Sequence, residues 1–258
     1  MAVEVVKQMK LYIEGYDISC DSNRLDVAAS AEALDKTSFC SSGRRRTPGL
    51  LDWNVSIAGF HNSSEGLVGS SDGRSGPVGL RALSYSSAIV SMVYGSSARG
   101  NPAYFGKAAG AEFTLGGSIG ELQSFTLALQ ANDRLIRGKL MEAGVMSTDS
   151  KVGGVATTAH DMGMWSTKTG QLYAAIHMLS STGGNLNISV RMSSMAAMTG
   201  ATTMLKWTAI TGTGGKGYIG TTKITSTKHR YAKVFCTTGS RGGVKLKGAV
   251  LAGVLNKL

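Results

Sequence analysis

The chain has 258 residues, among them 35 glycines and 3 prolines, and a formal net charge of +11 at pH 7. It is long enough to bury a core and to form two domains of ordinary size. No stretch reaches the roughly 18 uncharged apolar residues of a membrane span, and the N-terminal residues lack the apolar core of a signal peptide. We therefore expect a soluble protein with no export signal and no contact with a membrane.

The three cysteines, Cys20, Cys40 and Cys236, lie far apart in the sequence. An odd number without a CxxC pair argues against a disulfide framework and against a zinc site, so we expect buried free thiols. The four histidines are equally scattered, and His177 in a strand-like run is expected to be a core or sheet-face residue with satisfied hydrogen bonds. We predict no metal and no cofactor.

Charge is distributed unevenly, because all 16 acidic residues lie at or before Asp161. The leading 161 residues carry 15 basic and 16 acidic side chains, whereas the trailing 97 carry 12 basic side chains and no acidic one. This asymmetry favours two domains and an anionic partner for the second: nucleic acid, an acidic neighbouring subunit or an anionic cell surface. A solvated basic face without a dedicated ligand is the alternative.

The first half favours short strands joined by Gly and Ser turns, because no segment sustains a helical period. The run Leu11–Ser19 predicts a strand pair around Gly15. Residues 24–39 have the composition of a helix, but the alternation of apolar residues from Leu25 onward makes an extended conformation a competing prediction.

A turn at Pro48–Gly49 is predicted before a strand over Asp52–Phe60, in which alternate apolar residues share one face. A loop then leads to a short helix at Gly79–Ser86. Further strands complete a sandwich of about seven strands in this half. They cover Ala88–Gly95, Tyr104–Gly117 and Glu121–Asn132.

The second half has the pattern of strands almost without interruption, and apolar residues alternate strictly over Leu186–Met192. We predict a mainly β fold with two tandem domains of the β-sandwich or jelly-roll type and one short helix in the first. The predicted boundaries are 1–143 for the first domain, 144–161 for a linker and 162–258 for the basic second domain.

The sequence contains fragments of catalytic motifs but no complete one. Gly212, Gly214 and Gly217 match G-x-G-x-x-G, yet strand-like sequence on both sides predicts a hairpin rather than a dinucleotide site. His160 lies beside Asp161, but no G-x-S-x-G element supplies a nucleophile. We predict that the protein is not an enzyme.

Residues 33–60 combine an extended run, three consecutive arginines, the Pro48–Gly49 turn and a strand ending in Gly-Phe. This arrangement resembles the major tail (tail tube) proteins of long non-contractile-tailed bacteriophages, over residues 10–141. The second half is similar to the add-on β-sandwich of some phage virion proteins. The positions that match the family are Asp35, Thr37, Phe39, Arg46, Pro48, Gly49, Leu50 and Ser56–Phe60.

The resemblance implies a structural virion protein of the phage tail, made in the host cytoplasm. Its copies are expected to form rings, either hexamers or pseudo-hexameric trimers, that stack into a tube. Genomic DNA passes through such a tube without sequence-specific contact, and other virion proteins are the remaining partners. The assembly-interface candidates are Asp35, Thr37, Phe39, Arg44, Arg45, Arg46, Pro48, Gly49 and Leu50.

The three arginines are expected to meet carboxylates of a neighbouring copy, with Asp17, Asp21 and Glu32 as candidates. The alternative is that they are only solvated on a loop. Two other functions also stay open. A trimeric capsid decoration protein would clamp neighbouring shell subunits with its two sandwiches, and a virion binding module would use the basic second domain to contact an anionic surface or nucleic acid.

Overall fold

A computed structural model describes residues 8–38, 40, 42–60, 87–147, 155–156, 159–162, 170–182, 186–210, 216–224, 230–238 and 245–255. Within these ranges all regular structure is β-strand and no helix occurs, which confirms the predicted mainly β fold. The short helix predicted at Gly79–Ser86 lies outside the described residues. Of the G-x-G-x-x-G motif, only Gly217 is described, and it lies in a strand.

The described residues form sixteen strands. They are β1 (Met9–Ile13), β2 (Tyr16–Asp17), β3 (Ser22–Asp35), β4 (Arg46–Phe60), β5 (Ser87–Tyr94), β6 (Pro102–Gly116), β7 (Ser124–Ala131), β8 (Ile136–Ser147), β9 (Val155–Ala156), β10 (His160–Asp161), β11 (Gln171–Thr182), β12 (Leu186–Ser193), β13 (Thr202–Ile210), β14 (Lys216–Lys223), β15 (Tyr231–Thr238) and β16 (Lys245–Leu255).

The chain divides into two compact units. The first comprises Met1–Ser19, Ile89–Phe105 and Ile136–Leu258, and the second comprises Cys20–Ala88 and Gly106–Leu135. The predicted domain boundaries are 1–143, 144–161 and 162–258, and they describe segments expected to fold independently. The division into compact units does not test independent folding, so these boundaries stay a prediction. Strand residues do occur within 144–161, since β8 runs to Ser147 and both β9 and β10 lie there.

In the first unit, hydrogen-bonded neighbours follow the order β14-β11-β16-β8-β6-β5-β1-β2, and a second sheet has the order β10-β15-β12-β13 with β9 on β15. A shared core contains residues from both sheets. The residues that alternate over Leu186–Met192 are all buried in it, as the sequence predicts. Their main partners in this core are Leu172, Ala174, Ile176 and Met178 of β11 and Ala232, Val234 and Cys236 of β15.

Strand β11 is buried on both faces. Its intervening residues Tyr173 and Ala175 belong to a second core of the same unit, together with Tyr12, Phe105 and Leu251. A strand covered on both sides needs apolar residues at successive positions rather than at alternate ones. This explains the run LYAAIHML.

The buried polar residue of that run is His177. Gly15 N–H donates to its Nδ1 (3.2 Å), so the proton lies on Nε2, which donates to Ser91 Oγ (2.7 Å). Its ring stacks on Tyr12 with 5.5 Å between ring centroids. Burial lowers the pKa of His177 to about 3. The prediction of a core histidine with satisfied hydrogen bonds is confirmed.

In the second unit, β4 pairs with β3 on one edge and with β7 on the other, and β7 pairs with β6. Alternate residues Trp53, Val55 and Ile57 of β4 are buried, as are Phe125, Leu127 and Leu129 of β7. This confirms the alternation predicted for residues 52–60. Residues 24–39 had two competing predictions, a helix and an extended conformation. The extended conformation is confirmed over residues 24–35, which belong to β3.

All three cysteines are free. Cys236 is buried, but Cys20 and Cys40 are exposed, so the prediction of buried thiols is right only for Cys236. The exposed pair lies in turns outside the strands, where no core is available to cover a thiol.

Candidate assembly surface

The second unit carries a long hairpin formed by β3 and β4, in register from Ser22↔Gly59 to Asp35↔Arg46. Strand β7 pairs with β4 only over Asn54–Phe60. Residues 30–35 and 46–52 therefore form a two-stranded ribbon, which we call, with its connecting loop, the arm (residues 30–52). At about 3.3 Å per residue the ribbon is roughly 20 Å long.

Both edges of the arm are unpaired within the described residues. β3 pairs with β4 alone, and the part of β4 before Asn54 has no second partner. Residues 28–35 of β3 are all exposed, and Leu34 and Leu51 are 45% and 60% exposed. An exposed ribbon with open backbone edges is a template for pairing with another chain.

The turn predicted at Pro48–Gly49 is wrong, because both residues lie within β4. Ala31 is opposite Leu51 and Ala33 is opposite Pro48, so two residues of β4 face the single residue Glu32. This is a β-bulge, and it accommodates a proline that has no N–H for the ladder. A Cβ at Gly49 would lie 3.2 Å from the carbonyl oxygen of Glu32, which accounts for the glycine.

The loop of the arm is closed by Asp35 and Thr37, two of the predicted interface residues. Thr37 N–H donates to Asp35 Oδ1 (2.8 Å), and Arg45 N–H donates to Thr37 Oγ1 (3.0 Å). Lys36 N–H adds a bond to the Arg45 carbonyl oxygen (2.8 Å). Hydrogen bonds from the hydroxyl and the N–H of Thr37 lower the pKa of the exposed Asp35 carboxyl. The D-x-T pattern thus has a local role in shaping the loop.

Arg44, Arg45 and Arg46 are exposed at the end of the arm, and their guanidinium groups make no ion pair with any described residue. Phe39 lies outside the described residues, and so do the side chains of Pro48 and Leu50. The structure therefore brings Asp35, Thr37 and the arginines together at one end of one hairpin. Their role in an interface stays a prediction.

Of the three carboxylates expected to receive the arginines, one is exposed and without an ion pair to a described residue. Asp17 is bound by Lys10 Nζ (3.3 Å) and by the N–H and hydroxyl of Ser19, and Asp21 is buried at 8% exposure. Glu32 is exposed at the bulge of the arm.

A groove of about 840 Å³ lies at the base of the arm. It runs between the arm and the turn that follows β7. Trp53 of β4 binds this turn by donating from Nε1 to the Asp133 carbonyl oxygen (2.6 Å). No pattern in the sequence indicates this groove, since 80 residues separate Trp53 from Asp133. The lining residues are Ser30, Ala31, Glu32, Gly49, Leu51, Asp52, Ala131, Asn132, Asp133 and Arg134.

The groove is acidic. Glu32, Asp52 and Asp133 are exposed carboxylates, and Arg134 is the single cation among the lining residues. Asp52 accepts a bond from Trp53 N–H (2.8 Å) and Asp133 one from Arg134 N–H (2.7 Å), but none of the three carboxylates forms an ion pair with a described residue. The second unit thus has arginines at the end of the arm and, toward its base, a groove in which three carboxylates outnumber one arginine.

The described part of the chain contains no cluster of metal-binding side chains and no membrane-spanning helix. No three residues among His, Cys, Asp and Glu are grouped so that they could hold a metal ion, and no helix is long and apolar enough to cross a membrane.

No family model and no curated protein matches the chain. Among solved structures it is similar to a chain of the virion of a native gene transfer agent particle, with 16% identity, a TM-score of 0.40 and coverage of 52% of this chain and 97% of that one. It is also similar to the SPP1 tail tube, with 11% identity, a TM-score of 0.38 and coverage of 50% of this chain and 76% of that one. A third similar structure is the SPP1 Dit protein, a hub of the adsorption apparatus, with 11% identity, a TM-score of 0.33 and coverage of 96% of this chain and 100% of that one. All three TM-scores are below 0.5, so the likeness carries no functional argument and function is argued from the arm and the groove.

Proposed function

We propose that this chain is a structural virion protein of a phage tail, a tube subunit whose copies pair side by side into a ring. The observation that carries the proposal is the arm, which is two strands wide, exposed on both edges and anchored in the core of the second unit at Trp53.

An isolated two-stranded ribbon is at most marginally stable in water, and its open edges invite pairing with other chains. A monomeric protein usually blunts such an edge or covers it. Here the described ribbon keeps exposed leucines and unpaired backbone groups over roughly 20 Å. Lateral pairing between copies removes these edges, and closure of the ring leaves none open.

The charge of the second unit is compatible with contacts between identical copies. It contains ten acidic and nine basic residues, a net charge of −1, whereas the first unit has a net charge of +12. A nearly neutral surface with both signs lets copies attract each other locally without overall repulsion. In this proposal rings stack into a tube that conducts DNA without sequence-specific contact, and the protein has no catalytic role.

The test is a variant without the arm. Residues 31–51 are replaced by Asn-Gly, a two-residue turn that joins the register partners Ser30 and Asp52. We expect sedimentation velocity to show concentration-dependent oligomers for the full chain and monomers for the variant. At concentrations too low for the full chain to assemble, both proteins should have the same melting temperature, because the described β3 residues that are removed are all exposed. Oligomers that persist without the arm would contradict the proposal.

A further inference from the structure

We infer that the arginines at the end of the arm, Arg44–Arg46, bind in the acidic groove at the base of the arm of a second copy. The inference rests on the proposed function and identifies the contact through which copies join. It replaces two of the three expected partners, Asp17 and Asp21, by Asp52 and Asp133, and it retains Glu32.

The two ends of the arm are complementary in charge. The end of the arm carries Lys36 and the three arginines against Asp35, and the groove carries three carboxylates against Arg134. Guanidinium groups bind carboxylates with two parallel hydrogen bonds, which makes the contact directional. Charge complementarity of this kind fixes register and excludes wrong partners.

The arginines cannot reach Asp52 within one copy, whereas Glu32 is only about 10 Å along the ribbon from Arg46. The strand from Arg46 to Asp52 is extended, so these residues are roughly 20 Å apart at about 3.3 Å per residue. Consistent with this, no described residue pairs with the guanidinium groups of Arg44–Arg46 or with the carboxylates of Glu32, Asp52 and Asp133. Both sets are therefore available to a second copy.

The groove also offers backbone and apolar contacts. Gly49, Leu51 and Asp52 line it in the part of β4 that β7 leaves unpaired, and Leu51 is 60% exposed. An incoming extended segment can add to the edge of this part as a further strand. Because the end of one arm meets the base of another, the contact is head-to-tail, and such contacts generate rings when the rotation closes.

The test uses two charge-reversed variants. Variant X carries Arg45→Glu and Arg46→Glu, and variant Y carries Glu32→Arg and Asp133→Arg. In X both ends of the contact are negative, and in Y both are positive. We expect each variant alone to need an at least about tenfold higher concentration to assemble than the unmodified chain. An equimolar mixture should assemble as the unmodified chain does, because each end of X then meets the opposite charge on Y.

The matched control is Arg24→Glu, a reversal on the same hairpin outside the arm, where Arg24 pairs only with the exposed Asp26 (2.7 Å). It should leave assembly unchanged, and melting temperatures should verify that X and Y are folded. If X or Y alone assembles as the unmodified chain does, the inference is overturned but the proposed function is not. The same conclusion follows if the mixture of X and Y does not assemble. Absence of any assembly by the unmodified chain overturns both.

Discussion

At the scale of single residues, two of the predicted interface residues form hydrogen bonds within their own loop. Asp35 and Thr37 match a family pattern. In the structure their side chains accept hydrogen bonds from backbone N–H groups within the loop of the arm. The pattern is readable because Asp and Thr at this spacing bond nearby backbone groups. The sequence does not reveal that Asp21 is buried or that Asp17 is already bound by Lys10 and Ser19, because both depend on contacts made in the fold.

His177 provides a prediction at this scale. Its pKa in the folded protein, about 3, lies below the ordinary value of 6.5 in the unfolded chain. The unfolded state therefore binds the proton more readily, so the stability that the neutral ring contributes is complete above pH 6.5 and is lost as the pH falls toward 3. Between pH 6.5 and pH 5 the loss should be about 2 kcal/mol.

The measurement is urea unfolding at pH 7 and pH 5 for the unmodified chain and for His177→Gln. The variant should be less stable at pH 7 because the bonds to Gly15 and Ser91 are disturbed, but it should lose about 2 kcal/mol less between the two pH values. His160→Gln is the comparison variant: burial also lowers the pKa of His160, but this histidine is only half-buried, so its removal should reduce the pH dependence less than His177→Gln does. Equal pH dependence in His177→Gln and the unmodified chain would refute the burial of a neutral His177.

At the scale of elements, strands were predictable and their ends were not. Alternation identified the buried faces of β4 and β12, because a strand with one buried face repeats every two residues. The pattern around Pro48–Gly49 suggested a turn, since Pro and Gly usually interrupt strands. The structure places them at a β-bulge within β4. A bulge depends on the partner strand, so the sequence of one strand does not reveal it.

A pair of glycines tests the packing of the second unit. A Cβ at Gly59 in β4 would lie 2.0 Å from the carbonyl oxygen of Asp21, whereas a Cβ at Gly116 in β6 would meet no atom within 4 Å. We expect Gly59→Ala to lower the free energy of unfolding by about 3 kcal/mol and Gly116→Ala to change it by about 0.5 kcal/mol or less. Thermal or urea unfolding measures both, and similar values for the two variants would contradict the close approach at Gly59.

At the scale of the whole molecule, the sequence predicted the class of the fold but not the way its segments combine. The compact units are built from alternating stretches of the chain, and β5 and β6 contribute residues to both. Pairings between distant strands leave no mark in local periodicity. The groove was missed for the same reason, because Asp133 joins Glu32 and Asp52 only through folding. The charge asymmetry between residues 1–161 and 162–258 was visible in the sequence. The two compact units comprise other sets of residues, and their net charges are also −1 and +12.

The central claim is that copies of this chain join through the arm, and cryo-electron microscopy of the purified protein tests it most directly. The account predicts rings or stacked rings with closed rotational symmetry, in which the arm of each copy is seated against the next copy and its open strand edges are covered. Monomeric particles at every concentration would contradict the account, as would oligomers of any number in which the arm stands free in solvent.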